Sequence, residues 1–138
     1  MKGRLLCGTQ PASNIKIKLY DEDVVWDELL DTKYTNASGH FLVDGNTREY
    51  TNIDPFINIY HDCNDNRMCQ RRVSVYSPEK YINHGDSIAS VTDHGRLKVH
   101  DIGTINLESW IYGGFGDRIC YHEYDSSANQ QVTINKKK

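Results

Sequence analysis

Three arginines lie within six residues of each other in the segment 67–72, at Arg67, Arg71 and Arg72. Guanidinium groups bind phosphate and carboxylate oxygens through paired hydrogen bonds, so this basic segment is a candidate site for an anionic lipid headgroup. Arg71 and Arg72 are adjacent, however, and adjacent side chains of a strand point to opposite faces. We therefore expect that the three arginines do not form one cradle. A solvated charged surface is the alternative interpretation.

Large aromatic side chains are combined with three glycines in the segment 109–116. Trp110, Tyr112 and Phe115 are candidates for membrane contact, because Trp and Tyr rings favour the interface between lipid and water. The glycines predict a flexible loop that could insert these rings among headgroups. Burial of the same rings in the protein core is the alternative.

The run between residues 21 and 31 is acidic, and Trp26, Leu29 and Leu30 within it have a helical spacing. It is either one helical turn or a tight acidic loop. Carboxylate oxygens could bind Ca²⁺, but the spacing does not match an EF-hand, and a solvated loop without a metal site is the expectation. The acidic residues are Asp21, Glu22, Asp23, Asp27, Glu28 and Asp31.

Catalytic motifs are absent from the sequence. The six histidines are scattered, and His61, followed by Asp62, is the one whose neighbour suggests a role. A structural hydrogen bond is the preferred interpretation of that pair. The chain has no G-x-S-x-G motif and no glycine-rich phosphate loop. We expect no enzymatic activity, no catalytic residue and no cofactor.

Four cysteines, Cys7, Cys63, Cys69 and Cys120, are compatible with two disulfides or with one metal site. A zinc site would use His61 with Cys63 and Cys69. Five residues separate those two cysteines, whereas zinc sites use closer pairs, so disulfides are favoured. Four cysteines allow three pairings, and the spacing alone does not choose among them.

The start of the chain has no apolar stretch of the kind that a secretory signal carries. The chain is therefore either cytosolic or the processed form of a secreted protein. The triplet Asn36-Ala37-Ser38 is a glycosylation acceptor within a polar turn, which favours the secreted form. We interpret Met1 as a start residue added to the processed protein and Asn36 as a candidate glycosylation site.

The size and charge of the chain limit its class. Its 138 residues fit one domain, and its longest apolar run is three residues, against roughly 20 for a membrane-spanning helix. The net charge of −3 gives no general attraction to nucleic acid. We expect one soluble domain over residues 1–124 and a loosely ordered extension over 125–138.

Short alternating runs separated by turn residues predict an all-β fold. Ile15, Ile17 and Leu19 share one strand face and Lys18 lies on the other, as in a half-buried strand. The run 56–60 is apolar on both faces, so we expect it to be covered on both sides. About seven to eight such strands predict an antiparallel β-sandwich. Further strand patterns cover 40–43 and 73–75.

Several of these motifs occur in the same order in a known family. They cover residues 3–7, 15–21, 27–31, 35–41, 53–65 and 101–107, together with Cys120. With them the chain resembles the secreted transthyretin-like family of nematodes. The resemblance implies a transthyretin-like, immunoglobulin-like sandwich secreted after removal of a signal peptide. It also implies that Cys7 pairs with Cys120 and that Cys63 pairs with Cys69.

The best-known activity in that family is the binding of phosphatidylserine on dying cells, bridged to an engulfment receptor on the phagocyte. The resemblance therefore implies a secreted protein that makes peripheral membrane contact, with an anionic lipid and a cell-surface receptor as partners and no nucleic acid. A carrier of a small apolar ligand and a secreted ligand that acts on a receptor without lipid are the alternatives. The hydrolytic branch of the transthyretin superfamily ends in Tyr-Arg-Gly-Ser, which this chain lacks.

Overall fold

The computed structural model describes residues 1–47, 53–82, 98–112 and 117–120, with the backbone alone for 110–112. These ranges contain nine strands, one short α-helix and a single 3₁₀ turn at Glu79–Tyr81. The strands are β1 (Lys2–Cys7), β2 (Gln10–Pro11), β3 (Lys16–Asp21), β4 (Glu28–Tyr34), β5 (His40–Leu42), β6 (Pro55–His61), β7 (Gln70–Tyr76), β8 (Asp101–Asn106) and β9 (Asp117–Ile119), and the helix is α1 (Leu107–Tyr112).

The strands form two sheets. In the smaller sheet β1 pairs with β2, β5 and β8, and the larger sheet has the order β4-β3-β6-β7-β9. Every pairing is antiparallel except that of β1 with β8, which is parallel. The predicted β-sandwich is confirmed, and its strand count includes the two-residue β2. In the described part of the chain, no helix is long and apolar enough to cross a membrane.

The core lies between the two sheets. Residues from β3, β6 and β7 meet residues from β1, β5 and β8 in one buried apolar cluster, as the alternation of apolar residues predicts. Its fully buried side chains come from both sheets and from the first residue of α1. They are Leu5, Ile17, Val43, Ile57, Ile59 and Leu107.

The adjacent strands β3 and β6 of the larger sheet are buried on both faces. This confirms that the run 56–60 is covered on both sides. The expectation that β3 is half-buried is wrong, because Lys18 on its outer face is only 3% exposed. β3 lies between β4 and β6, so side chains on both sides of it cover its outer face. The Lys18 ammonium lies 5.8 Å from the centroid of the Tyr60 ring, a cation–π contact that offsets part of the cost of burying the charge.

The acidic run does not form a helical turn. β3 ends at Asp21 and β4 begins at Glu28, so the residues between them connect two antiparallel strands. Leu29 is therefore a buried strand residue, whereas Trp26 is 81% exposed. The loop alternative is the correct one, because strand pairing takes up both flanks of the run.

The cysteines form two disulfides, but not those that the resemblance implied. Cys7 pairs with Cys63 and Cys69 pairs with Cys120, over sequence separations of 56 and 51 residues. Cys63 follows β6 and is buried in the core beside the end of β1, so the first disulfide joins the two sheets. Gln70 of β7 faces Ile119 of β9, and the next pair outward in that register is Cys69 with Cys120.

The predicted extension over 125–138, and with it the domain boundary at residue 124, lies outside the described residues.

Candidate functional site

The predicted basic segment forms the tip and the first residues of a β-hairpin, which we call the basic hairpin and define as residues 62–72. Asp65 organises its loop, and the side chain of this residue is only 5% exposed. Arg118 Nη2 of β9 donates to Asp65 Oδ2 at 2.6 Å, and Arg71 Nε lies 3.5 Å from the same oxygen. The backbone N–H of Arg67 donates to Asp65 Oδ1 at 3.0 Å.

These contacts fix both the charge and the shape of the hairpin tip. The hydrogen bond from Arg118, followed by that from the Arg67 backbone, lowers the pKa of the Asp65 carboxyl. Arg118 also donates to the carbonyl oxygens of Met68 and Cys69, at 3.1 and 3.3 Å. The tip is therefore held from below by β9, and its outer side chains face solvent.

Two adjacent exposed residues of that tip combine a cation with an apolar group. Arg67 is exposed, and Met68 is 87% exposed beside it. The other two predicted arginines are engaged lower in the hairpin, because Arg71 is paired with Asp65 and Arg72 Nη2 lies 3.1 Å from Asp117 Oδ2. The three arginines are thus not brought together in one cradle.

Sequence reasoning missed Arg118. It is separated from Arg71 by more than 40 residues, and the register of β7 with β9 places the two opposite each other. A single arginine in a three-residue strand has no periodic signal, so only the pairing of the strands reveals it.

The predicted aromatic loop is partly helical. Trp110 and Tyr112 belong to α1, so the expectation of a loop is wrong for these two positions, and their side chains lie outside the described residues. Phe115 also lies outside the described residues. β9 begins at Asp117, opposite Arg72, so the chain returns from this segment beside the basic hairpin.

A second exposed feature lies between β3 and β4, and we call residues 22–28 the acidic loop. Its three central side chains are apolar and exposed: Val24 is 99%, Val25 71% and Trp26 81% exposed. Four carboxylates flank them, from Glu22, Asp23, Asp27 and Glu28. The sequence signal for this exposed apolar group was the occurrence of three adjacent apolar residues within an acidic run. The helical spacing of Trp26 with later residues drew attention away from that signal.

The base of the acidic loop is tied to the sheet. Glu22 N–H donates to the Asp54 carbonyl oxygen at 3.0 Å, and Asp54 N–H donates to Asp21 Oδ1 at 2.8 Å. Tyr76 Oη donates to Glu22 Oε1 at 3.0 Å, and this hydrogen bond, with burial, raises the pKa of the Tyr76 phenol. Within the loop, Asp23 N–H donates to Asp27 Oδ1 at 3.2 Å.

The acidic loop and the basic hairpin lie at opposite ends of the larger sheet. Asp21, where β3 meets the acidic loop, pairs with Pro55 at the start of β6. His61 at the other end of β6 leads into the basic hairpin. Seven residues of extended chain span about 20 Å. The sheet therefore separates an acidic apolar end from a basic end.

The calcium alternative for the acidic run finds no support in the geometry. Asp31 binds Lys33 Nζ at 3.0 Å, and Asp21 accepts from the Asp54 backbone. Among the described residues, no three acidic, histidine or cysteine side chains are grouped so that they could hold a metal ion. The zinc interpretation also fails, since Cys63 and Cys69 are in disulfides.

The predicted structural role of His61 is confirmed. Its side chain is 1% exposed, and its Nδ1 accepts the backbone N–H of Cys63 at 3.1 Å. Burial, reinforced by the positive charge of Arg71, lowers the pKa of the imidazole to about 4. His61 is therefore neutral at neutral pH, and it orders the turn that carries Cys63.

Asn36 lies in an exposed turn between β4 and β5. Its Oδ1 accepts the backbone N–H groups of Ser38 and His40, each at 3.0 Å. Gly39 closes the turn with φ +81, and a Cβ there would collide with the Leu5 carbonyl oxygen. These bonds do not require Nδ2, the atom that would carry a glycan, so glycosylation of Asn36 stays a prediction that the turn accommodates.

The sequence profile of the transthyretin-like family matches residues 2–78, which is more than half of the chain. The chain belongs to the transthyretin-like family. Among curated proteins, transthyretin-like protein 5 of Caenorhabditis elegans is 39% identical over 102 residues, which are 72% of this chain and 73% of that protein. The present chain is also 42% identical to transthyretin-like protein 46 of the same species over 113 residues, which are 79% of this chain but only 59% of that protein.

A third member of the transthyretin-like family, transthyretin-like protein 33 of C. elegans, is 40% identical over 111 residues, covering 78% of this chain and 72% of that protein. Among solved structures, a 9R-lipoxygenase from Cyanothece matches with a TM-score of 0.40 and 19% identity, over 92% of this chain and 17% of the lipoxygenase. That likeness is too low to carry any argument about the transthyretin-like chain.

Proposed function

We propose that this chain is a secreted protein that binds phosphatidylserine exposed on apoptotic cells and bridges it to an engulfment receptor on the phagocyte. The observation that carries the lipid part is the adjacent exposure of Arg67 and Met68 on a fixed hairpin tip. The family resemblance supplies the biological setting.

The pair has the chemistry that peripheral contact with an anionic bilayer needs. The Arg67 guanidinium can bind the phosphate or the carboxylate of a phosphatidylserine headgroup in a paired geometry. The Met68 thioether, which is flexible and apolar, can enter the region just below the headgroups. A basic residue near an anionic bilayer contributes about 1 kcal/mol, so this contact is weak and reversible unless other residues add to it.

The fixed backbone of the tip supports the same proposal. Asp65, Arg118 and the Cys69–Cys120 disulfide hold the loop before any lipid is present. Binding then orders few additional groups, which lowers its entropic cost. Arg71 and Arg72 act as positioning residues for the tip, because they hold Asp65 and Asp117.

Secretion is supported by the cysteines. All four are in disulfides, which form and persist in oxidising compartments such as the extracellular space. The exposed turn that holds Asn36 fits the same localisation, because N-glycans are attached to surface loops of secreted chains.

The lipid proposal is tested by co-sedimentation with vesicles of phosphatidylcholine, with and without phosphatidylserine. The wild-type protein is expected to prefer the vesicles that contain phosphatidylserine. The double substitution Arg67→Ala with Met68→Ser is expected to weaken that binding at least tenfold, because it removes one cation and one inserted apolar group. Its thermal stability should stay close to wild type, since both side chains face solvent.

A matched control exists on the other sheet. Lys2 and Leu42 are paired in register on β1 and β5 and are both exposed, so Lys2→Ala with Leu42→Ser makes the same chemical change elsewhere. That variant should bind vesicles as the wild type does. Equal binding of the wild type to both vesicle types would contradict the lipid proposal. An equal loss in the two double variants would contradict the assignment to the hairpin tip.

A further inference from the structure

The acidic loop presents a contiguous apolar group to solvent. Val24, Val25 and Trp26 are adjacent, and each is at least 71% exposed. Single exposed apolar residues are ordinary on protein surfaces, whereas adjacent exposed ones mark contact sites. Trp is also one of the residue types that are enriched among the side chains that dominate protein interfaces.

The charge around this group determines what it can contact. Asp23 and Asp27 lie next to the apolar residues, with Glu22 and Glu28 one position further out. An anionic bilayer repels these carboxylates, so the loop is poorly suited to the membrane that the basic hairpin is proposed to bind. A protein surface with Lys or Arg side chains around an apolar pocket complements both the charge of the loop and its exposed apolar side chains.

The loop is also held in shape for docking. The hydrogen bonds from Glu22 to Asp54 and from Tyr76 to Glu22 fix its first residue on the sheet. The hydrogen bond from Asp23 N–H to Asp27 Oδ1 brings the two sides of the loop together. These hydrogen bonds order the backbone at the base of the loop before binding, which lowers the entropic cost of docking.

We propose that Val24, Val25 and Trp26 dock into an apolar pocket of a protein partner whose rim carries Lys or Arg side chains. The inference rests on the bridging part of the proposed function and is independent of the lipid part. The position of the loop at the end of the sheet away from the basic hairpin lets the chain contact the partner and a membrane at the same time.

The experiment measures binding of labelled protein to intact cells dissociated from nematode embryos, selected for the absence of exposed phosphatidylserine, before and after trypsin digestion of their surface proteins. The wild type is expected to bind in a trypsin-sensitive manner that weakens as salt is raised. Val24→Ser with Trp26→Ala should weaken this binding at least tenfold. Tyr34→Ala removes a different exposed ring, 52% exposed on β4, and should have no effect.

Charge is tested separately from shape. Asp23→Asn with Asp27→Asn removes two charges and keeps the Oδ1 atoms that accept the loop hydrogen bonds. This variant should also bind the cells more weakly while its thermal stability stays unchanged. Arg67→Ala with Met68→Ser should keep the trypsin-sensitive binding, so a failure of the lipid proposal leaves this one standing.

Four results would overturn the inference. The first is wild-type binding to the cells that trypsin does not affect, and the second is full cell binding by the Val24→Ser with Trp26→Ala variant. The third is a loss of binding to phosphatidylserine vesicles in that variant. The fourth is a change of oligomeric state in that variant, measured by sedimentation equilibrium. The third would assign the acidic loop to a membrane, and the fourth would assign it to a second copy of the chain.

Discussion

Replacing Cys7 and Cys63 together by serine is expected to lower the free energy of unfolding by about 4 kcal/mol. The disulfide closes a loop with a sequence separation of 56 residues, so its loss releases a large amount of chain entropy in the unfolded state. It also joins β1 of the smaller sheet to the end of β6 in the larger one. Guanidinium denaturation of the oxidised wild type and of the double variant measures the difference.

The matched variant is Cys69→Ser with Cys120→Ser. Its loop separation of 51 residues predicts a similar loss of stability, again about 4 kcal/mol. Only this second variant should also weaken binding to phosphatidylserine vesicles, because Cys69 ends the hairpin tip. Mapping the disulfide-linked peptides by mass spectrometry checks the pairing directly, and a peptide linking Cys7 to Cys120 would contradict the structure.

The second large effect is a loss of stability on mild acidification. The imidazole of His61 has a pKa of about 4 in the folded protein and about 6.5 when unfolded. Below pH 6.5 His61 takes up a proton in the unfolded chain but not in the folded one. The free energy of unfolding therefore has its full His61 contribution above pH 6.5 and loses it as the pH falls towards 4. The difference between the two pKa values of His61 corresponds to a contribution of up to about 3 kcal/mol to the free energy of unfolding.

Denaturation midpoints measured between pH 4 and pH 7.5 test this. His61→Gln removes the titrating group and should flatten the pH dependence, although it lowers stability at neutral pH through imperfect packing. His40, which is exposed on β5, provides the control, and His40→Gln should leave the wild-type pH dependence intact. A His61→Gln variant that keeps the full acid sensitivity would show that other groups cause it.

The sequence predicted the sheets well, because strand formation depends on local alternation of apolar residues. Phe41 and Val43 pack together in the core as their spacing indicates, and β6 is buried on both faces. The burial of Lys18 was missed, because side chains of the neighbouring strands β4 and β6 cover the outer face of β3, and the alternation within β3 alone does not show that cover.

The disulfide pairing and the hairpin site depend on contacts between distant segments. Cys69 and Cys120 meet because β7 pairs with β9, and the same pairing places Arg118 on Asp65. No local pattern encodes that register. The sequence leaves the acidic run open between a helical turn and a loop for a different reason, because residues of a strand and of a loop share a helical spacing around Trp26.

The proposed assignment of the basic hairpin to a membrane and of the acidic loop to a protein partner is tested most directly by the solvent exposure of Trp26 in the presence of vesicles. The substitution Trp110→Phe leaves Trp26 as the only tryptophan. Acrylamide quenching of its fluorescence is then measured with and without phosphatidylserine vesicles. The two-ended arrangement predicts that Trp26 stays as accessible to acrylamide on the vesicles as in solution. Strong protection of Trp26 by the vesicles would contradict it, because the acidic loop would then be the part of the chain that enters the membrane.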